Sequence, residues 1–146
     1  MNASRLEIYI DALLNSGFSN LKTIRIGTKS LSFRPYRFLT DKDSAKLLER
    51  FRKITDSGIH LAIMAHINDY QEMSTRAFRE AVKRIRQTGA VIRSQSPVFN
   101  HVNADSAVWE KMWVDQVNLG IIPNLHVCPQ KHRCPQDLFY PSGQGI

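Results

Sequence analysis

Four residues with strong hydrogen-bonding side chains occur where short apolar runs of the sequence end. Arg25 and Thr28 lie at the end of the first run, His66 follows the second, and Gln95 follows the third. A guanidinium, a hydroxyl, an imidazole and an amide can together hold a polar ligand. None of them is an activated nucleophile or a source of electrons, and the sequence has no glycine-rich phosphate loop, zinc-binding helix or nucleophile elbow. The residues therefore predict a binding site without a complete catalytic set.

Each of the four residues also has a purely structural interpretation. Arg25 could pair with a carboxylate at the end of a neighbouring strand, and Thr28 could be a turn residue. His66 follows a strongly apolar run and could be a core histidine with satisfied hydrogen bonds. Gln95 is flanked by Ser94 and Ser96. Three polar residues in a row do not suit an apolar core, so a functional role is favoured for Gln95.

Apolar stripes indicate the helices that would position these residues. In each stripe apolar residues recur every three or four positions, which is the pattern of a helix that buries one face. The four stripes are Leu6, Ile10, Leu13 and Leu14; Leu47, Leu48, Phe51 and Ile54; Phe78, Ala81, Val82 and Ile85; and Val108, Trp109, Met112, Trp113 and Val117. A glycine follows each stripe, where a left-handed C-terminal cap is wanted. The last three of these glycines, at positions 58, 89 and 120, are 31 residues apart (89−58 and 120−89), about the length of one β–α unit.

Short, mostly apolar runs follow the glycines and predict buried parallel strands. The runs span 23–27, 60–65, 90–93 and the stretch from Ile121 onward. Strands that alternate with helices predict an α/β fold with a parallel sheet and right-handed crossovers. Ligands of such folds bind beyond the carboxyl ends of the strands. We therefore expect Thr28, His66 and Gln95 to point into one shared cavity, with Asn68, Asp69 and Ser94 at the same rim.

The composition is that of a soluble globular domain with an excess of basic residues. Twenty Lys and Arg against thirteen Asp and Glu give a net charge of +7, which could indicate a nucleic-acid partner. The basic residues argue against that partner, because they share their helical stretches with acidic residues or alternate with apolar ones. No apolar run approaches the roughly 20 residues needed to cross a bilayer, and the N-terminus has no secretory pattern. A cytoplasmic protein without a membrane partner is expected.

Four motifs, the first of them in two parts, carry a resemblance to a known family. Arg25-Ile26-Gly27-Thr28-Lys29 resembles an "RIGT" strand end, and Arg34-Pro35-Tyr36-Arg37-Phe38 with Thr40 resembles the "P-x-R-x-T" segment that follows it. Ala65-His66-Ile67-Asn68 resembles the next strand end, Gly89 to Pro97 resembles a "GxxxxxQ" strand, and His101-Val102-Asn103 resembles a "GVND" or "HVND" helix start. In this order and at these intervals, the motifs resemble the lysine 2,3-aminomutase family of the radical-SAM superfamily, from about Leu6 to Pro123.

The resemblance implies a partial parallel (β/α) barrel, of which the chain would hold about three and a half units of a six-unit radical-SAM core. Family members cleave S-adenosylmethionine at a [4Fe–4S] cluster, and the resulting 5'-deoxyadenosyl radical drives amino-group migration on an amino-acid substrate, with pyridoxal phosphate as a further cofactor in the aminomutases. Carried over by position, Arg25, Thr28, His66 and Gln95 would line the cavity for S-adenosylmethionine and the substrate. The Cys-x3-Cys-x2-Cys cluster loop of the family does not occur in this sequence. The chain is therefore expected to be a fragment that is inactive alone and binds no cofactor tightly.

Residues 124–146 depart from the family pattern and are expected to form an irregular tail after a barrel part that spans 1–123. Cys128 and Cys134, together with His126 and His132, look like a metal cluster. The degenerate codons from Leu125 onward offer another account, because read one base later they permit Tyr-Met-Phe-Val-Pro-Arg-Asn-Thr-Gly-Ala, which matches the family's Tyr-Met-Phe and Arg-x-Thr-Gly-Ala. We predict a single-base frameshift near 123–125 and an out-of-frame tail in which Cys128 and Cys134 are not metal ligands.

Two other functions stay open. A second polypeptide that carries the cysteine loop could complete the barrel, which would make this chain a non-catalytic subunit of a split enzyme. The chain could also be a stand-alone basic binding protein, whose retention on nucleic acid would be sensitive to salt. Barrel strands left unpaired at both edges predict association with a partner, or poor solubility of the chain alone.

Overall fold

The computed structural model of the chain describes residues 3–99 and 101–127. Within them helices and strands alternate, with two short 3₁₀ turns at Pro35–Phe38 and Tyr70–Met73. The helices are α1 (Ala3–Leu14), α2 (Ser30–Phe33), α3 (Ser44–Asp56), α4 (Arg76–Arg86) and α5 (Ser106–Asn118), and the strands are β1 (Thr23–Thr28), β2 (His60–His66), β3 (Val91–Pro97) and β4 (Ile122–Val127). In this part of the chain, none of the helices has the length and apolar character needed to cross a membrane.

The four strands form one parallel sheet in the order β1-β2-β3-β4. Each connection therefore steps to the next strand in the same direction, and right-handed crossovers of this kind place all the connecting helices on one side of the sheet. The predicted α/β fold with a parallel sheet is confirmed, as an open arrangement consistent with part of a β/α barrel. Among the described residues the sheet does not close, because β1 and β4 have no strand on their outer sides.

One apolar core lies between the helices and one side of the sheet. The predicted stripes of α3 and α4 are buried in it, with Phe51 and Phe78 fully enclosed, and the strands contribute Ile63 and Ile92. The stripe of α5 differs from the prediction, because its buried residues are Trp109, Met112 and Gln116, whereas Val117 is 62% exposed. Val117 follows Gln116 by about 100° around the helix, which turns its side chain away from the sheet.

Glycines end the turns that lead from helices toward strands. Gly17, Gly58, Gly89 and Gly120 have φ of 70, 80, 82 and 72°, in the left-handed region that costs other L-residues about 1–2 kcal/mol. The prediction that these glycines adopt a left-handed conformation is confirmed. The same left-handed glycine turn is therefore used after α1, α3, α4 and α5.

Helix α1 buries Ala3 and Ile10 in the apolar core, and charged groups attach it further to the rest of the molecule. Arg50 of α3 pairs with Glu7, and Lys53 pairs with Asp11 at 2.6 Å. The first helical amide, that of Ala3, donates to Asp43 Oδ2 at 3.1 Å. Arg37, which is only 6% exposed, donates to both Asp43 oxygens at 2.6 and 2.9 Å. The Ala3 amide and the Arg37 guanidinium together lower the pKa of Asp43.

Strands β3 and β4 extend further than the sequence predicts. β3 runs to Pro97 instead of ending at Arg93, so Ser94 and Gln95 lie inside the strand. β4 continues to Val127, so the first four residues of the predicted irregular tail, 124–127, lie in a strand. Among the described residues β4 pairs with β3 alone, and an edge strand of this kind tolerates a proline such as Pro123. Residues 128–146, with Cys128 and Cys134, lie outside the described residues, so the frameshift and the exclusion of these cysteines as ligands stay predictions.

Candidate functional site

The strand register assigns each side chain to one of two faces of the sheet. Cα partners in neighbouring parallel strands carry their side chains on the same face, and successive residues alternate between the faces. One face contains residues of the apolar core, such as Ile63 and Ile92. We call the other face the open face. Across the strands its residues form three rows of Cα partners, 25↔62↔91, 27↔64↔93 and 66↔95. The residues are Arg25, Gly27, Ala62, Met64, His66, Val91, Arg93 and Gln95.

Three of the four predicted site residues share the open face. His66 and Gln95 are direct Cα partners at the carboxyl ends of β2 and β3, and Arg25 lies on the same face of β1. Arg25 is exposed, while His66 and Gln95 are partly exposed. Their side chains make no hydrogen bond or ion pair in the described part of the chain. The alternatives of a paired arginine and a satisfied core histidine therefore find no support here.

Thr28 does not share this face, so the expectation that it points into one cavity with His66 and Gln95 is wrong. Its Cα partner is Ala65, a core residue, so its side chain lies on the side of the sheet that the helices cover. Thr28 is 8% exposed, and its hydroxyl accepts a hydrogen bond from the Ser30 amide at 3.0 Å. The geometry is that of a turn residue that leads from β1 into α2.

Three further polar residues at the predicted rim have structural contacts. Asp69 accepts from the Gln71 amide at 2.7 Å and caps the 3₁₀ turn. Ser94 lies on the core side and accepts from the Asn124 amide at 3.4 Å. The main-chain groups of Asn68 bind the side chains of Glu72 and Asn103. These contacts fix the segments that follow the strands.

Arg93 is a candidate that the sequence reasoning missed. It lies on the open face as the Cα partner of Met64, two residues before Gln95, and its side chain makes no ion pair with the residues described. The available signal was its position, because residues i and i+2 of one strand share a face. Because the strand was predicted to end at Arg93, Arg93 and Gln95 were not expected to lie on one face of the same strand.

The charges of the open face favour an anionic group. Arg25 and Arg93 each present an unpaired guanidinium, and the strand residues of this face include no Asp or Glu in the described range. Guanidinium groups bind carboxylates and phosphates in bidentate geometry, while His66 and Gln95 add neutral donors and acceptors. A Cβ added at Gly27 would meet nothing within 4 Å, so the space above the sheet is free at this position. The face can bind and orient a polar anion.

The described residues fit some of the expected cofactors and not others. S-adenosylmethionine carries a carboxylate that suits the open face. An iron–sulfur cluster needs thiolates, and residues 3–99 and 101–127 contain neither a cysteine nor any group of three His, Cys, Asp or Glu side chains that could hold a metal. The strand residues of the open face include no lysine for a Schiff base with pyridoxal phosphate. No reaction step through either group follows from this geometry.

A comparison with characterised proteins finds one distant relative of this chain. The chain is 29% identical over 119 residues to a protein of Aquifex aeolicus (strain VF5) named "Putative L-lysine 2,3-aminomutase". The match covers 82% of this chain and 30% of the relative, so the chain spans less than a third of that protein. No protein-family model matches the chain. The similarity supports a distant relationship to the radical-SAM family that the sequence motifs resemble.

Proposed function

We propose that this chain is part of a radical-SAM, aminomutase-like enzyme and that its open face forms one wall of the ligand cavity. The observation that carries the proposal is the set of unpaired polar side chains on that face, Arg25, His66, Arg93 and Gln95. The parallel sheet with helices on one side and the distant similarity to an aminomutase support it. In the complete enzyme the reaction would be the migration of an amino group on an amino acid.

The residues of the open face would bind and orient the ligands. S-adenosylmethionine and an amino-acid substrate both carry an α-carboxylate, which Arg25 or Arg93 can bind through two parallel hydrogen bonds. His66 and Gln95 can hydrogen-bond neutral polar groups, and Met64, two residues before His66 and opposite Arg93, offers an apolar surface on the same face. In enzymes of this family a [4Fe–4S] cluster supplies the electron that generates the radical. Part of the protein beyond the described residues, or a partner, would have to hold that cluster.

A titration of the ¹⁵N-labelled chain with S-adenosylmethionine tests the proposal. We expect amide shifts at Gly27, His66 and Gln95, and little change on the helices. Of the variants Arg25→Gln and Arg93→Gln, the one that removes the carboxylate's partner should weaken binding by about tenfold or more, because one charge-assisted hydrogen bond contributes about 1.5–3 kcal/mol. Arg52→Gln is the matched control, since Arg52 is an exposed arginine of α3 remote from the open face.

Two outcomes of the titration would contradict the proposal. The first is the absence of any shift on the open face at millimolar ligand. The second is equal weakening by the Arg52→Gln control, which would indicate non-specific attraction to a basic protein. The first outcome includes shifts confined to the helices, which would place the ligand elsewhere.

A second candidate function is a subunit that completes a barrel with another polypeptide. β1 and β4 each leave an outer edge unpaired in the described region, and unpaired edges promote association with further strands. Apolar side chains are also exposed on the first and last helices of the described region, with Ile8 and Tyr9 66–68% exposed on α1, and Val114 and Val117 54–62% exposed on α5. Co-expression with a polypeptide that carries Cys-x3-Cys-x2-Cys should then give a stable 1:1 complex by size-exclusion chromatography. A soluble, cooperatively melting monomer would argue against this candidate.

A further inference from the structure

Side chains from the segments that follow β1 and β3 bind the backbone at the carboxyl ends of β2 and β3. The carbonyl of His66, the last residue of β2, accepts from Lys29 Nζ at 3.2 Å and from Ser32 Oγ at 2.9 Å. Asn103 Nδ2 donates to the carbonyls of Asn68 at 2.7 Å and Pro97 at 3.0 Å. Side chains therefore fix the backbone at and just beyond the ends of β2 and β3, close to the open-face residues His66 and Gln95.

Lys29 uses its full hydrogen-bonding capacity in this network. Besides the His66 carbonyl, its ammonium donates to both carboxylate oxygens of Glu72, at 3.0 and 3.1 Å. These contacts match the three N–H donors of a lysine. The side chains of Lys29 and Glu72 are 24 and 19% exposed, so water and salt screen the pair less than a surface ion pair. The ring of Phe33 lies 4.8 Å from the ammonium and holds it from a further direction.

Glu72 extends the contact to the other side of Ile67. Its Oε2 accepts from the Asn68 amide at 3.2 Å. The pair thus holds the carbonyl before and the amide after Ile67, whose side chain is fully buried. We call Lys29, Ser32 and Glu72 the clasp. It joins the segment after β1 to the segment after β2, across 43 residues of sequence.

The clasp acts on the backbone from which the His66 imidazole projects. His66 lies on the open face beside Gln95, and its own side chain makes no hydrogen bond in the described part of the chain. An ion pair that is partly buried gives little net stability compared with apolar residues of similar volume, so stability alone is a weak reason for this arrangement. A fixed direction for the imidazole is a specific consequence of it.

We propose that Lys29 and Glu72 are positioning residues, which hold the His66 imidazole level with Gln95 so that a ligand meets both in a fixed geometry. This inference rests on the proposed function of the open face, because it assigns a role in binding there. Lys29 and Glu72 need not touch the ligand.

Backbone dynamics and ligand affinity, measured together in two clasp variants, test this inference. In Lys29→Met and Glu72→Gln, the ¹⁵N order parameters of Ile67 and Asn68 should fall from about 0.85 toward 0.6, the range between rigid and flexible backbone. The dissociation constant for S-adenosylmethionine should rise roughly tenfold, a loss of about 1.4 kcal/mol. Lys29→Arg keeps a donor to both partners and should restore both values toward those of the unmodified chain.

Lys53→Met is the matched control, because Lys53 also pairs with a carboxylate, Asp11 at 2.6 Å, on the outer side of α3. It should leave the order parameters and the affinity unchanged, even where it lowers the melting temperature. Equal changes in Lys53→Met and Lys29→Met would overturn the inference, since both would then report general destabilisation. Unchanged order at Ile67 and Asn68 in the clasp variants would overturn it as well.

The two proposals fail in distinguishable ways. If the unmodified chain does not bind S-adenosylmethionine on the open face, the proposed function fails, and with it the role of the clasp in binding. If the unmodified chain binds and the clasp variants bind equally well, only the positioning role fails.

Discussion

Gln116 is a fully buried residue of α5, and among the described residues neither Nε2 nor Oε1 of its side-chain amide has a hydrogen-bond partner. It belongs to the stripe, with Trp109 and Met112, that packs toward the sheet. An unsatisfied buried amide costs about 1–3 kcal/mol. Left unsatisfied, this amide lowers the stability of the core that supports β4.

Replacing this amide by an apolar side chain should therefore stabilise the protein. We expect Gln116→Leu to raise the free energy of unfolding by roughly 1–2 kcal/mol, measured by urea denaturation. Gln87→Leu, at an exposed position just after α4, is the control and should change little. A loss of stability in Gln116→Leu would show that the amide has a bound water as its partner.

The contribution of Asp43 to the attachment of α1 depends on pH. The Ala3 amide and the Arg37 guanidinium both bind its charged form and lower its pKa below the ordinary value. Stability from a carboxyl with a lowered pKa is fully present above the pKa of the unfolded chain, and it is lost as the pH falls through the lower folded value.

The variant Asp43→Asn should thus lower the melting temperature at neutral pH, and the difference from the unmodified chain should shrink below about pH 4. Thermal melts by circular dichroism across pH 2–8, a range set by the ordinary aspartate pKa of roughly 3.9, would measure this. Equal differences at neutral and acid pH would mean that the carboxylate charge contributes nothing.

At the scale of elements, the turn from α4 into β3 depends on close packing against the end of α3. Gly89 has φ of 82°, and a Cβ there would lie 3.3 Å from both Thr55 Cβ and Thr55 Oγ1. The Thr55 hydroxyl is held in place because it donates to the Thr88 carbonyl at 2.6 Å. Conformation and contact therefore both favour glycine at this position.

Gly17 separates these two effects, because it has φ of 70° and nothing within 4 Å of an added Cβ. We expect Gly17→Ala to cost about 1 kcal/mol from backbone strain alone, and Gly89→Ala to cost roughly 2 kcal/mol from strain and crowding. Chemical denaturation of the two variants measures the difference. Equal costs would show that Thr55 moves aside freely.

At the scale of the whole molecule, one of the two edge strands of the sheet, β4, contains the segment where the sequence predicts a change of reading frame. β4 pairs with β3 through Val127, with a register shift opposite Arg93 and Gln95. The shifted string Tyr-Met-Phe-Val has a higher strand propensity than Leu125-His126-Val127-Cys128. A restored frame would therefore favour the strand conformation at this edge.

Replacing Leu125–Cys134 by Tyr-Met-Phe-Val-Pro-Arg-Asn-Thr-Gly-Ala should therefore raise the melting temperature by several degrees, as about 1 kcal/mol does in a domain of this size. The same ten residues in scrambled order are the control. An unchanged or lower melting temperature, or coding DNA that runs in frame through Pro123–Leu125 in related genes that share Cys128 and Cys134, would contradict the frameshift.

The sequence by itself determined the repeating architecture of this protein. Stripes such as Phe78, Ala81, Val82 and Ile85 and the glycines with positive φ are local features, because a helical face and a left-handed turn depend only on residues close together in the chain. Alternation of these units with apolar runs was enough to predict a parallel sheet.

Only the tertiary structure decided which side chains share a face and which distant residues meet. A shift of one residue in a strand reverses the face of its side chains, so Thr28 was wrongly grouped with His66, and Arg93 was missed. The bond between Lys29 and Glu72 joins residues 43 positions apart, and no local pattern encodes such a pairing. These contacts exist because the parallel strands bring their carboxyl ends to one edge of the sheet.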